Sequence, residues 1–276
     1  MSFTYERPST TEALTSLLHE AAGHAALLAG GTDLLVLLRA RKIRPEVVID
    51  VKGVDELGAL EHHADGSVSI GATITCNRVV DDARFQGAMG ALPAAAREIA
   101  NYTIRNRATV VGNVANASPA ADTVPSLCVL GAEVELRSQG GSRRLSILDY
   151  LQGVRKTAAA EDEYVAALHI PAVSKGTRTF FRKIKRVRGH DLALTNAAVI
   201  HDPERKHLAV CVGACAPVPT MVDLDDMFDA PDPEEAANRA MKAIRPIDDV
   251  RSSAEYRTDM TGVLVRRLFA DLGFTG

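Results

Sequence analysis

Between Leu27 and Leu34 the chain reads Leu27-Leu28-Ala29-Gly30-Gly31-Thr32-Asp33-Leu34: an apolar strand, two glycines, then a Thr-Asp start to a helix. Glycine has no Cβ, so backbone N–H groups can come close to a phosphate there, and a helix N-terminus favours an anion through its dipole. Neither the G-x-G-x-x-G of a dinucleotide-binding turn nor the lysine of a P-loop is present. A tight turn with Thr32 or Asp33 as helix cap uses the same residues, and spacing alone leaves both readings open.

A second segment runs from Ile104 to Pro125, through Thr109-Val110-Val111-Gly112-Asn113 and Ala117-Ser118-Pro119-Ala120-Ala121-Asp122-Thr123. Small and polar residues dominate, which would let backbone approach a flat or extended ligand while Asp122 accepts from a ribose hydroxyl. A solvated loop with Asp122 capping the next helix is the alternative. Loops longer than about 12–15 residues inside a compact domain are usually functional or disordered.

Conventional catalytic sets are absent: there is no G-x-S-x-G and no H-E-x-x-H. Of the histidines only His62 and His63 are close in sequence, and neighbours on a strand face opposite sides, a poor arrangement for chelating a metal. The basic run Arg178 to Arg188 interleaves Arg182, Lys183, Lys185 and Arg186 with Phe180, Phe181, Ile184 and Val187. It reads as a strand with a solvated face, or as a contact to a phosphate, a cofactor or a partner subunit. Cys76, Cys128, Cys211 and Cys215 are too scattered for a disulfide scaffold or an iron–sulfur cluster and read as buried free thiols.

The elements that must position these residues alternate along the chain. Helices are expected over Thr10–His19, Thr32–Arg41, Pro93–Asn101 and Val124–Leu130, and strands over Ala25–Ala29, Val47–Val51, Val68–Ile70, Glu133–Arg137 and Tyr164–Ile170. Pro171–Gly176 has no apolar period and reads as a boundary. Beyond it come strands at Thr179–Lys185, Leu194–His201 and His207–Ala214, then helices at Pro233–Ala243 and Ser253–Leu272. The pattern makes the fold α+β. The 276 residues carry Lys+Arg 32 against Asp+Glu 35, a net charge of −3 that gives no reason to expect nucleic acid. No apolar run reaches the length of about 18 residues that a membrane span needs. The start, Met1-Ser2-Phe3-Thr4-Tyr5-Glu6-Arg7-Pro8, does not read as a signal peptide, so a cytoplasmic location is expected.

Taken together and in order, these segments resemble the FAD-binding (medium) subunit of the molybdenum hydroxylases, the group that includes carbon monoxide dehydrogenases and xanthine dehydrogenases. Ala29-Gly30-Gly31-Thr32-Asp33-Leu34 resembles the first FAD segment, and Ile104-Arg105-Asn106-Arg107-Ala108-Thr109 leads into the second. Ile70-Gly71-Ala72-Thr73-Ile74-Thr75 and Pro246-Ile247-Asp248-Asp249-Val250-Arg251 are similar to further family motifs. The resemblance implies a two-subdomain FAD-binding fold of the vanillyl-alcohol-oxidase (PCMH) type, over residues 1–58 and 59–173, plus an α+β C-terminal domain over 174–276. It implies that Leu27 to Leu34 and Thr109 to Asn113 hold the FAD diphosphate and adjoining groups. Asp122 would bond FAD hydroxyls, Ile99 and Val165 would be apolar walls against a ring, and Lys183 would contact the cofactor.

The resemblance further implies an electron-transfer subunit with no catalytic acid or base and no metal of its own. Its partners would be a small subunit carrying [2Fe-2S] clusters and a large subunit carrying the molybdopterin cofactor, as a dimer of heterotrimers. A stand-alone flavoenzyme of the same fold, or a structural adaptor with a weakened flavin site, are the alternatives. One departure bears on the last: the family usually has two glycines before the asparagine, and Val111 takes the first place. Valine cannot adopt positive φ cheaply. If the family's glycine needs that conformation, the loop differs here or FAD binds more weakly; if it serves only close approach, the valine side chain points away.

Overall fold

The Ser-Thr-Thr start and leucine spacing produce the first helix as expected: Thr10 Oγ1 accepts from Ala13 N at 3.2 Å, and Leu14 and Leu18 are buried. The fold is taken from a computed structural model that describes residues 3–275; Met1 and Ser2, part of the N-terminal stretch read above for a signal peptide, and Gly276 lie outside the described residues. Strands β1 (Thr4–Glu6), β2 (Ala25–Leu28) and β3 (Val47–Asp50) pair in parallel in the order β1-β3-β2. Parallel neighbours cannot be joined by a tight turn, so helices α1 (Thr11–Glu20) and α2 (Leu34–Arg39) carry the chain back between them. β1 is short and exposed, and no apolar alternation announces it.

The second sheet is antiparallel, in the order β4 (Leu60–His62), β5 (Val68–Gly71), β10 (Tyr164–Ile170), β6 (Glu133–Ser138), β7 (Gly141–Ser146). Between β5 and β6 lie five short helices, α3 (Cys76–Asp81), α4 (Ala91–Arg97), α5 (Tyr102–Arg105), α6 (Val110–Ala115) and α7 (Thr123–Val129). After β7 come α8 (Ile147–Tyr150) and the hairpin β8 (Leu151–Gly153) and β9 (Lys156–Thr157). The solvated-loop reading of Ile104 to Pro125 therefore needs correction, because α6 occupies its middle and α7 its end. Two of the helix starts have a visible local cause. Thr75 and Thr109 cap α3 and α6, and the two starts are tied by Cys76 N to Ala108 O at 2.8 Å and Val110 N to Ile74 O at 3.2 Å.

The third sheet is an antiparallel meander, β11 (Arg178–Ile184), β12 (Thr195–Asp202), β13 (His207–Gly213) and β14 (Thr220–Asp223). Every residue of β12 is buried, because the sheet is covered on both sides. Ala197 and Val199 pack with Ala236 and Ala240 of α9 (Pro233–Ala243) and with Leu264, Val265 and Leu268 of α10 (Ala254–Asp271). Ala198 and Ile200, on the opposite face, pack with Val129 of α7. A strand buried on both faces loses the polar alternation of a surface strand. The first two sheets share one core, with Leu14 and Ile49 meeting Ile70, Leu127 and Leu168, whereas the third sheet and its helices form another. All four cysteines are free; burial pushes the Cys76 thiol up to about 12, so it stays neutral.

Candidate functional site

Where β2 ends, the chain turns through the two glycines against the start of α6, and a cleft of about 390 Å³ opens between them. Gly30 is in contact with the second segment: a Cβ there would lie 2.3 Å from Arg107 O, so only glycine lets the two segments abut. Gly31 has φ +74°, a left-handed conformation that glycine adopts without strain, and Leu28 folds beneath it.

Lys52 fixes the end of the strand. Its Nζ donates to Leu28 O at 3.4 Å, Ala29 O at 3.1 Å and Asp50 Oδ1 at 2.6 Å, and Tyr5 Oη donates to Asp50 Oδ2 at 2.6 Å. Burial works to raise the Asp50 carboxyl, but the Lys52 and Tyr5 hydrogen bonds outweigh it and hold the group below its ordinary value. With the carbonyls before the turn engaged by Lys52, the N–H groups of Gly30, Gly31, Thr32 and Asp33 have no acceptor among the described residues. Asp33 is the N-cap of α2 but makes no side-chain capping bond, so neither it nor Thr32 closes the helix start in the way a simple capped turn would.

Across the cleft, Thr109 Oγ1 accepts from Gly112 N at 3.0 Å, and Asn113 Oδ1 accepts from Thr123 Oγ1 at 2.7 Å, which locks α6 to α7. Val111 lies inside α6 with helical backbone, is 3% exposed and lines the cleft. No positive φ is required of it, and at 3% exposed its side chain is packed almost wholly in the core. Ile99 and Val165 line the same cleft, as do Leu27, Ala29 and the run from Gly30 to Leu34.

Four residues singled out in the sequence do not line it. Leu28 and Val110 support it from behind, and Asp122 and Lys183 lie elsewhere, paired with each other at 2.7 Å on the seam between α7 and the third sheet. The second Asp122 oxygen accepts from Asn196 Nδ2 at 3.0 Å, and Lys183 Nζ also reaches Glu98 O at 3.4 Å. Burial pushes the Asp122 carboxyl up, with the Lys183 ammonium and Asn196 amide pulling it back.

Leu37, Val51, Ala72, Ala108, Ala115, Asn116 and Tyr164 complete the lining and were not singled out as site residues. Leu37 had a signal, since it follows Leu34 by three on one helix face. Asn116 sits in the second segment without a distinguishing pattern. A neighbouring cavity of about 380 Å³ lies between Ser118–Ala120, Ala214–Pro217 and the Arg245–Arg257 stretch, with Arg155 at its edge. His62 turns to Asp82 at 3.4 Å and His63 to Ser69 at 2.7 Å, so the two rings serve different neighbours.

Residues 1–173 match the family described as the FAD binding domain in molybdopterin dehydrogenase, and residues 179–272 match the CO dehydrogenase flavoprotein C-terminal domain. The chain is similar to the carbon monoxide dehydrogenase medium chain of Afipia carboxidovorans, 30% identical over 96% of this chain and 95% of that one. It is similar to the nicotine 6-hydroxylase medium subunit of Paenarthrobacter nicotinovorans, 30% identical over 98% and 96%. Among solved structures, carbon monoxide dehydrogenase from Hydrogenophaga pseudoflava superposes with a TM-score of 0.89 at 26% identity, covering 98% of this chain and 96% of that chain. Reconstituted CO dehydrogenase from Oligotropha carboxidovorans gives 0.90 at 28% identity, covering 98% and 97%.

Proposed function

The chain belongs to the FAD-binding, medium-subunit family of the molybdopterin dehydrogenases, and on that premise we propose that it relays electrons from iron–sulfur clusters of a partner subunit, through FAD, to an external acceptor. The residues present fit the cofactor. Four consecutive N–H groups from Gly30 to Asp33 without an acceptor among the described residues suit a diphosphate. Gly30, where a Cβ would strike Arg107 O, brings the second segment to the same place. Ile99 and Val165 offer an apolar wall for a ring. Bound FAD would supply the redox chemistry, and the chain would hold, orient and shield it.

The observation that carries the reading is the open N–H run at the cleft, four donors in a row that a bound diphosphate could engage in place of water. The adaptor alternative rested on Val111, and a helical backbone that asks no positive φ of it supports the flavin reading instead. In the proposed assembly a small [2Fe-2S] subunit delivers electrons and a large molybdenum subunit oxidises the substrate, in a dimer of heterotrimers in the cytoplasm. No helix among the described residues is long and apolar enough to cross a membrane. Residues 1–58 and 59–173 would clasp FAD, and 174–276 would close the flavin end.

The test is to purify the chain alone and measure its visible spectrum and its turnover. The expected result is bound, non-covalent FAD with no substrate oxidation. A chain that neither retains nor rebinds FAD would overturn the proposal, as would turnover of a substrate by the isolated chain.

A further inference from the structure

Asp33 is the one charged side chain lining the cleft among the described residues, and it is negative. A dinucleotide diphosphate brings negative charge to the same place, so the lining as it stands offers N–H dipoles but no full positive charge. Lys52, behind the strand, is committed to Asp50, and the cation that reaches the rim from outside is Arg155, at the tip of the β8–β9 hairpin. Its Nη2 stands 3.8 Å from Asp33 Oδ1, and its Nη1 donates to the side-chain oxygen of Asn116, another lining residue, and to Asn116 O at 3.4 Å. Its backbone N donates to Ala117 O at 2.9 Å, which pins the hairpin tip to the turn after α6. The guanidinium thus bridges the two rims of the cleft, from the glycine turn on one side to α6 on the other. It is half exposed, so it can re-aim without unfolding anything.

We infer that Arg155 is the charge-balancing clamp of the dinucleotide diphosphate. It neutralises Asp33 in the empty cleft, and on binding is shared between that carboxylate and the phosphate oxygens. Guanidinium forks match phosphate geometry, and the charge on both partners makes such bonds stronger than neutral ones. The inference rests on the FAD reading above but adds a residue outside both glycine segments.

The experiment is a titration of the FAD-stripped full chain with FAD, followed by quenching of flavin fluorescence, for the wild type, Arg155→Ala and Arg155→Lys at low and high salt. At low salt Arg155→Ala should raise the Kd about tenfold. Arg155→Lys should fall between, because it keeps the charge but loses the fork. The gap between wild type and Arg155→Ala should narrow at high salt, where a half-exposed charge is screened. An unchanged Kd in Arg155→Ala would overturn the clamp while leaving the FAD reading intact, and so would a gap indifferent to salt. A wild-type chain that binds no FAD would instead overturn the reading itself. Apo-chain melting temperatures identify a folding defect: if Arg155→Ala melts well below wild type, Arg155→Gln, which keeps most of the side-chain packing, carries the same comparison and must show the same salt-sensitive loss.

Discussion

Gly30 and Gly31 are neighbours with different duties, and the difference is measurable. At Gly30 an added Cβ would meet a backbone oxygen at 2.3 Å, so Gly30→Ala must push the two cofactor-binding segments apart. At Gly31 the cost is mainly the left-handed φ of +74°, together with the Leu28 and Leu35 methyl groups nearby. Urea unfolding should show Gly30→Ala destabilised by about 1–3 kcal/mol through overpacking. Gly31→Ala should lose about 1–2 kcal/mol through its backbone. FAD affinity should fall further for Gly30→Ala, since it alone changes the distance between the segments. That glycines stand here was plain in the sequence; which one permits close approach depended on Arg107, 77 positions away in the chain. Single titrating groups set a second expectation. His201 is lowered by burial, which outweighs the nearby Asp202 charge. Asp50 and Glu135 are also held low, their hydrogen-bonded cations outweighing burial. All three bind protons less readily folded than unfolded, so each stabilises the fold above its unfolded value and loses that contribution as pH falls through the folded one. Stability should decline from about pH 6.5 downward through His201, and more steeply below about pH 4.5 through the carboxylates. Asp122, pushed up by burial, opposes this at the acid end. Urea midpoints measured from pH 8 to pH 4 check the slope, and His201→Leu should flatten its upper part; a level profile in the wild type would contradict the assignment.

At the scale of elements, α6 shows where sequence reading ran out. The segment stood out by its small and polar residues, and it lines the cleft, but its helix was not legible. Six residues make fewer than two turns, too few to display a 3.6-residue period, and helices that short form only with tertiary support. The support is visible: the Thr109 cap, the tie from Val110 N to Ile74 O, and burial of Val110, Val111 and Val114. Val111→Gly, which restores the residue usual in the family, should therefore destabilise the chain by about 2–4 kcal/mol, combining a lost buried side chain with glycine's helix cost. Thermal unfolding with and without FAD would measure it. A gain in stability would mean that position 111 prefers a conformation other than the helix described. The longer elements were legible because they had room to show a pattern. Tyr164–Ile170 and Pro233–Ala243 agree with their expected limits to the residue.

Across the whole molecule, the Asp122–Lys183 pair shows what only the assembled chain decides. Both residues were marked for cofactor contact, yet they meet at 2.7 Å, with side chains 8% and 2% exposed, where α7 packs on the third sheet. Buried pairs of this kind add little net stability, but removing one partner strands a charge. Asp122→Ala should cost about 3–5 kcal/mol, while the double replacement Asp122→Leu with Lys183→Met should recover most of that loss. A double-mutant cycle in urea reads the coupling directly, and additive losses would mean the pair is not coupled. The amino-acid sequence by itself determined the α+β pattern, the family and the presence of two glycine-containing segments, because local propensity and ordered motifs are written in neighbouring residues. The tertiary structure alone decided that Gly30 abuts Arg107, that Val111 is helical, that Arg155 spans the cleft and that Asp122 turns to Lys183. Each of these is a contact between residues far apart in the chain, set by how the three sheets pack, and no local pattern encodes it.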